Sequence, residues 1–200
     1  MNFKVTNVSA TSIKPEDKEL YLKVYTDPEI MKFIGTPLSQ ERAECAWDAS
    51  IEQETHIPVA RRTWTLSEND PKRSIGIAAF GLENKEDKIA TIGCMFVLEA
   101  HGKGYATEVL RKVTELAFEE YGINKLTSYS MLTNKASYKL MVRLGYGYKE
   151  VLTEHDEIKA GYYWFLTKRE WLNFLKTNKN TSLMIRAINE SDPFNLGNNK

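Results

Sequence analysis

The segment Ala90-Thr91-Ile92-Gly93-Cys94-Met95-Phe96-Val97-Leu98-Glu99-Ala100-His101-Gly102-Lys103-Gly104-Tyr105-Ala106-Thr107-Glu108 constrains this chain most, because it feeds a strand into a helix through a pair of glycines. Two glycines at that junction leave the N–H groups of residues 102 to 106 free to converge on one concavity at the positive end of the helix dipole, a cradle for phosphate. The dipole alone contributes about 0.3–1 kcal/mol, and ~2 in a favourable site, so several amides must converge to hold an anion. In isolation, Gly-Lys-Gly also reads as a tight turn that merely uses glycines. Two other phosphate motifs are excluded by the residues themselves. The dinucleotide fingerprint needs a third glycine at 107, where Thr107 stands, and G-x-x-x-x-G-K-[ST] is absent. The strand before the loop ends an antiparallel meander, which argues against a parallel nucleotide-binding sheet.

The rest of the chain is organised around that junction. The first sixty residues read as helical: one helix opens at Pro15-Glu16-Asp17 and carries Leu20, Leu22, Val24 and Tyr25. A short second one runs from Asp27-Pro28 through Ile30, Met31, Phe33 and Ile34 until Gly35-Thr36-Pro37 stops it, and Ser39 caps a third through Ala43, Ala46, Trp47 and Ile51. Strands follow over 63–66, 74–82 and 88–98, separated by turn-forming runs at 67–71 and 83–87. Residues 105–121 are a helix closed by Gly122, 125–132 a strand, and 135–144 a helix closed by Gly145. Strands over 146–153 and 162–167 and a short helix through Trp171, Phe174 and Leu175 complete the pattern. The expected organisation is one domain over 1–175 and a polar tail over 176–200.

A second element, Asn134-Lys135-Ala136-Ser137-Tyr138-Lys139-Leu140-Met141-Val142-Arg143-Leu144-Gly145-Tyr146, lies thirty residues beyond the loop. Together the two segments resemble the GNAT superfamily of acetyl-CoA-dependent N-acetyltransferases, whose pyrophosphate loop reads [RQ]-x-x-G-x-[GA]. His101 stands where that family has Arg or Gln. The pattern N-x-x-S-x-x-x-M-x-x-L-G-[FY] over 134–146, with Asp27-Pro28-Glu29-Ile30-Met31-Lys32-Phe33-Ile34, is similar to the ribosomal-protein-type branch in particular. The resemblance spans residues 13–172. It implies an α/β (α+β) fold, with a mixed, mostly antiparallel sheet of about seven strands flanked by helices, and acetyl-CoA as co-substrate with no metal.

On that resemblance, the strand around Met95, Phe96 and Val97 pairs its backbone with the pantetheine arm, splayed from the 125–132 strand to admit it. Residues His101, Gly102, Lys103, Gly104, Tyr105 and Ala106 form the pyrophosphate loop, with the amides of Gly102 to Ala106 as its donors, and Asn134 binds the pantetheine or acetyl end. Direct transfer needs a neutral amine, a donor to the carbonyl oxygen and a proton for the thiolate. Many relatives supply that proton from a tyrosine seven positions after the asparagine; Met141 stands there, so Ser137 is the expected donor and Tyr138 a reserve. The branch often has an acidic residue two positions ahead of Gly93, where this chain has Thr91. Glu154, with His155 second, is the expected base. An α-amine of pKa ~8 is about 10% neutral at pH 7, whereas an amine of pKa ~10.4 costs ~4.6 kcal/mol to deprotonate, so a poor base favours α-amines. The N-terminal helices and the 154–163 hairpin are expected to build the acceptor pocket, with Trp47, Trp64, Tyr162, Tyr163 and Trp164 as candidates.

Charge narrows the partners. Twenty-seven basic and 27 acidic side chains cancel, without the basic excess that displaces counterions from nucleic acid. Cys45 and Cys94 lie far apart, His56, His101 and His155 are scattered, and no metal-ligand spacing or disulfide framework emerges. Cys94, with no paired histidine, reads as core packing. No apolar run is long enough to span a bilayer, and Met1-Asn2-Phe3-Lys4-Val5-Thr6-Asn7 lacks a signal-peptide core. The expectation is a cytoplasmic N-acetyltransferase, monomer or homodimer, acting on a protein N-terminus or a small-molecule amine without nucleic-acid or membrane partners. The alternative is a catalytically quiet acyl-CoA-binding domain.

Overall fold

Residues of high strand propensity crowd the middle of the chain, and the computed structural model, which describes residues 1–54, 60–70, 73–151 and 160–179, lays them into one eight-stranded sheet. The strands are β1 (Phe3–Lys4), β2 (Val8–Ser12), β3 (Arg61–Glu68), β4 (Arg73–Asn84), β5 (Ile89–Phe96), β6 (Lys125–Met131), β7 (Gly147–Val151) and β8 (Gly161–Thr167). Their order is β1-β2-β3-β4-β5-β6-β8-β7, with every neighbouring pair antiparallel except β5 and β6. The helices are α1 (Lys18–Thr26), α2 (Pro28–Met31), α3 (Gln40–Gln53), α4 (Tyr105–Glu119), α5 (Lys135–Arg143) and α6 (Lys168–Lys179).

The alternation of side chains sorts the sheet into two faces. Trp64, Ala78, Phe80, Ile92 and Phe96 share the face covered by α4, since Phe80 packs on Tyr121 just beyond that helix and Phe96 on Tyr105 at its start, with ring centroids 4.7 and 6.4 Å apart. Arg61, Thr63 and Thr65 point the other way, where the Tyr25 phenol of α1 meets Arg61. α4 buries Val109, Val113, Leu116, Ala117 and Phe118, the period predicted for it. α5 closes at Gly145, whose φ of +82° is the left-handed conformation a C′ glycine provides.

Four expectations change. The first sixty residues are not all helical: Val8-Ser9-Ala10-Thr11-Ser12 alternates apolar and polar and pairs with β3 along its whole length, and with β1 on its other side the sheet reaches eight strands instead of about seven. The second helix stops at Met31. Asp27 caps it by accepting the N–H groups of Glu29 and Ile30, and Phe33 and Ile34 lie beyond its end, 43% and 40% exposed instead of in the core. β4 runs on to Asn84, two residues into the run 83–87 expected to be a turn. At the C-terminal end, α6 continues to Lys179, past residue 175; the remainder of the expected tail lies outside the described residues. Among the described residues no helix is long and apolar enough to cross a membrane.

Candidate functional site

β5 and β6 begin side by side and then part. They pair only at Ile89↔Lys125, Ala90↔Leu126 and Thr91↔Thr127. β5 nevertheless stays on β4 as far as Phe96 opposite Gly76, and β6 stays on β8 as far as Met131 opposite Gly161. A wedge therefore opens after Thr91, exposing the β6-facing edge of Ile92 to Phe96, about 16 Å at roughly 3.3 Å per residue. Buried backbone groups need partners, and an extended ligand carrying amides supplies them in the manner of an added strand. Met95 is half-buried beside this edge, while Phe96 and Val97 pack into the core.

The open end of the wedge leads into the glycine pair. A 3₁₀ turn over Leu98–Ala100 ends β5, after which Gly102 and Gly104 take φ of +76° and +82°, a conformation that glycine adopts without a Cβ penalty. Gly104 is the N-cap of the fifteen-residue α4, and the Thr107 N–H closes on its carbonyl at 3.1 Å. Among the described residues no protein acceptor meets the N–H groups of Gly102 to Ala106, and a Cβ built on either glycine would meet nothing within 4 Å. Five free donors at a helix N-terminus, facing open space, fit a diphosphate. His101 stitches the loop back to β5: its Nε2 lies 3.0 Å from the Phe96 carbonyl oxygen, which accepts the Nε2–H.

Lys103 is committed beneath the loop. Its Nζ lies 2.8 Å from Glu68 Oε1, the Tyr105 hydroxyl donates to the same oxygen at 2.9 Å, and Arg73 holds Oε2 at 3.0 Å. The Glu68 side chain is 7% exposed, and the hydrogen bond from Lys103, with that from Tyr105, lowers its pKa from the usual 4.5 to about 2. The depressed value means that this pairing stabilises the fold fully above about pH 4.5 and is lost as pH falls toward about 2. Glu68→Gln is accordingly expected to flatten the fall of melting temperature between pH ~5 and ~2. Parallel curves for the two proteins would exclude that role.

α5 starts four residues after β6 ends. Asn134 is its N-cap: Oδ1 accepts the Ser137 N–H at 2.9 Å and Nδ2 donates to the Phe33 carbonyl at 3.2 Å, fixing the first turn. Ser137 is half-buried in that turn. Tyr138 turns into the core, within 5.0–5.6 Å of the rings of Tyr148, Tyr162 and Trp164, so the reserve donor faces an aromatic cluster. Met141 is buried, an apolar residue serving packing. Trp47, Trp64, Tyr162 and Trp164 are likewise buried in the core, while Tyr163, half-buried, points to the opposite face from Trp164. The Cys94 thiol is pushed up to about 12 by burial and stays protonated. Glu154 and His155 lie outside the described residues.

The closed end of the wedge carries polar groups on the α1 face. A row of paired residues, Arg61, Gly81, Thr91 and Thr127, crosses four strands there. Thr91 Oγ1 donates to the Thr127 carbonyl at 3.4 Å, and the buried Thr127 hydroxyl donates to Glu83 Oε2 at 3.0 Å. Sequence reasoning placed Glu83 in a turn and missed it. No local signal marks it, since its position follows from a register shift between Leu82 and Asn84.

Residues 11–147 match the family model of the acetyltransferase (GNAT) domain. An uncharacterised N-acetyltransferase of Bacillus licheniformis, p20, is 26% identical over 166 residues, 78% of this chain and 90% of its own. An FsC-acetyl coenzyme A-N(2)-transacetylase of Aspergillus fumigatus is 26% identical over 190 residues, 86% of this chain and 79% of its own. Among solved structures, the spermidine N-acetyltransferase of Vibrio cholerae in complex with CoA and spermine superposes with a TM-score of 0.71 at 16% identity, over 84% of this chain and 99% of that one.

Proposed function

Because the chain belongs to the GNAT acetyltransferase family, we propose that it transfers the acetyl group of acetyl-CoA directly to a primary amine, either a protein N-terminus or a small molecule. The parting of β5 from β6 next to five unpartnered loop amides carries this proposal, because the two features fit the two chemically different parts of the co-substrate. Bound there, acetyl-CoA supplies an acetyl group activated as a thioester. The N–H groups of Gly102 to Ala106 hold its pyrophosphate, the backbone of Met95, Phe96 and Val97 pairs with its amide arm, and Asn134 holds the first turn of α5 against the acetyl end. The Ser137 hydroxyl gives its proton to the departing sulfur. The Asn134-to-Tyr146 pattern supports the ribosomal-protein-type branch, while the solved Vibrio cholerae relative, which holds spermine, supports a small polyamine acceptor.

Thermal unfolding with CoA, followed by thiol release from acetyl-CoA in the presence of spermine, an amino sugar and a peptide α-amine, tests this function. At a hundredfold excess over Kd, CoA should stabilise the fold by ~2.7 kcal/mol, and at least one amine should release thiol. Stabilisation without turnover would mark a CoA-binding module, and no response to CoA would overturn both. In the same assay Ser137→Ala is expected to lower kcat ~10²-fold while leaving CoA affinity unchanged. An unaffected kcat would reduce Ser137 to a helix residue.

A further inference from the structure

Acetyl transfer to an ammonium requires somewhere for a proton to go, and the described part of the site offers one carboxylate at the point where the wedge closes. β4 and β5 pair at Leu82↔Ala90 and again at Asn84↔Ile89, so Glu83 is an extra residue with no partner on β5. Two residues beyond Gly81, it keeps to the α1 face by the strand's own alternation. Its carboxylate reaches across β5 to the next strand but one, where Oε2 accepts from Thr127 Oγ1 at 3.0 Å. Thr127 is the last residue of β6 to pair with β5, opposite Thr91, whose own hydroxyl bonds the Thr127 carbonyl. Gly81, paired with Thr91 on its other side, puts no side chain in the way. Glu83 itself is exposed, so an acceptor can reach it from solvent.

We propose that Glu83 is the group that takes the proton from the acceptor amine. This rests on the acetyl-transfer reading of the wedge: an arm anchored at residues 102–106 and laid along the free edge of β5 from Phe96 toward Ile92 brings its far end to the Thr91–Thr127 pair. A cationic amine approaching that end on the α1 face meets the Glu83 carboxylate. One N–H proton passes to a Glu83 oxygen and on to water. The nitrogen lone pair so freed forms the new N–C bond, the C–S bond breaks with its electrons on sulfur, and the second proton lost by nitrogen balances the one Ser137 gives to sulfur. Thr127 is a positioning residue: fully buried, it holds one carboxylate oxygen and leaves the other for the amine.

The test uses the full chain, acetyl-CoA, spermine and a lysine-free peptide with one free α-amine. Glu83→Gln keeps the Thr127 hydrogen bond and the shape of the bulge but cannot accept the proton. It is expected to leave CoA affinity unchanged and to lower kcat ~10²-fold on amines of pKa ~10.4, but less than tenfold on an α-amine of pKa ~8, which is already partly neutral. Independently of turnover, calorimetric affinity of the amine for the CoA complex should fall at least fivefold. Equal kcat and equal amine affinity in the variant, with the unsubstituted chain active, overturn the role of Glu83 alone. A full loss confined to Glu154→Gln does the same. An unsubstituted chain that binds neither CoA nor amine overturns the acetyl-transfer reading and this proposal together.

Discussion

Gly104→Asp is expected to abolish CoA binding while the protein still folds. Gly104 holds φ at +82° at the N-cap of α4, and a Cβ there meets nothing within 4 Å, so the space into which a side chain would grow is the space in front of the loop amides. Aspartate is a good helix cap and costs the fold only the strain of a left-handed residue, of order 1–3 kcal/mol. For a diphosphate the same carboxylate is a like charge lodged among the donors meant for it, and it takes over those donors and the helix dipole. Gly104→Ala carries the strain without the charge and separates the two effects. CoA titrations by thermal shift should show stabilisation retained in part by the alanine variant and absent from the aspartate variant. CoA affinity undiminished by aspartate would exclude the loop as the anion site.

Gly76→Ala is expected to be the most damaging single methyl group in the sheet. Gly76 pairs with Phe96 at the end of β5, and a Cβ there would lie 2.1 Å from the Met95 carbonyl oxygen and 2.9 Å from the Phe96 Cα. Both obstacles are backbone, so no rotamer change relieves the clash; either β5 is displaced or the pairing breaks. A cost of ~3 kcal/mol, at the upper end for overpacking, lowers the melting temperature by roughly 6–12 °C in a domain of this size. Because the displaced segment is the edge proposed to bind the CoA arm, affinity should fall with stability. Gly93→Ala on the neighbouring strand β5, where a Cβ meets nothing within 4 Å, is the control and should leave the melting temperature nearly unchanged. Equal melting temperatures for the two variants would refute the close approach.

The geometry of the strand-to-helix junction was legible because it rests on local chemistry. A glycine pair at a strand-to-helix junction announces positive φ and free amides within a dozen residues, and Gly102 and Gly104 adopt that geometry. The Asn134 cap and the Gly145 stop were readable on the same ground. What failed to show was what depends on register. The reach of Glu83 to Thr127 depends on how β4, β5 and β6 align, and nothing within five residues of Glu83 reveals that alignment. Lys103 could be placed near phosphate from its position, but its pairing with Glu68, 35 residues away, depends on where β3 ends. The β2 strand carried a visible alternation, yet its five residues are too few to outweigh the helical pattern that follows.

The three residue pairs that join β5 to β6 make this sheet mechanically two pieces: β1 to β5 with their helices on one side, β6, β8 and β7 on the other. A ligand laid in the wedge replaces the missing rungs of the ladder and so becomes a splint between the halves. Its departure returns the same rungs to water. On the proposed function, the amides that bind the arm would also be the ones that tie the two parts of the sheet together.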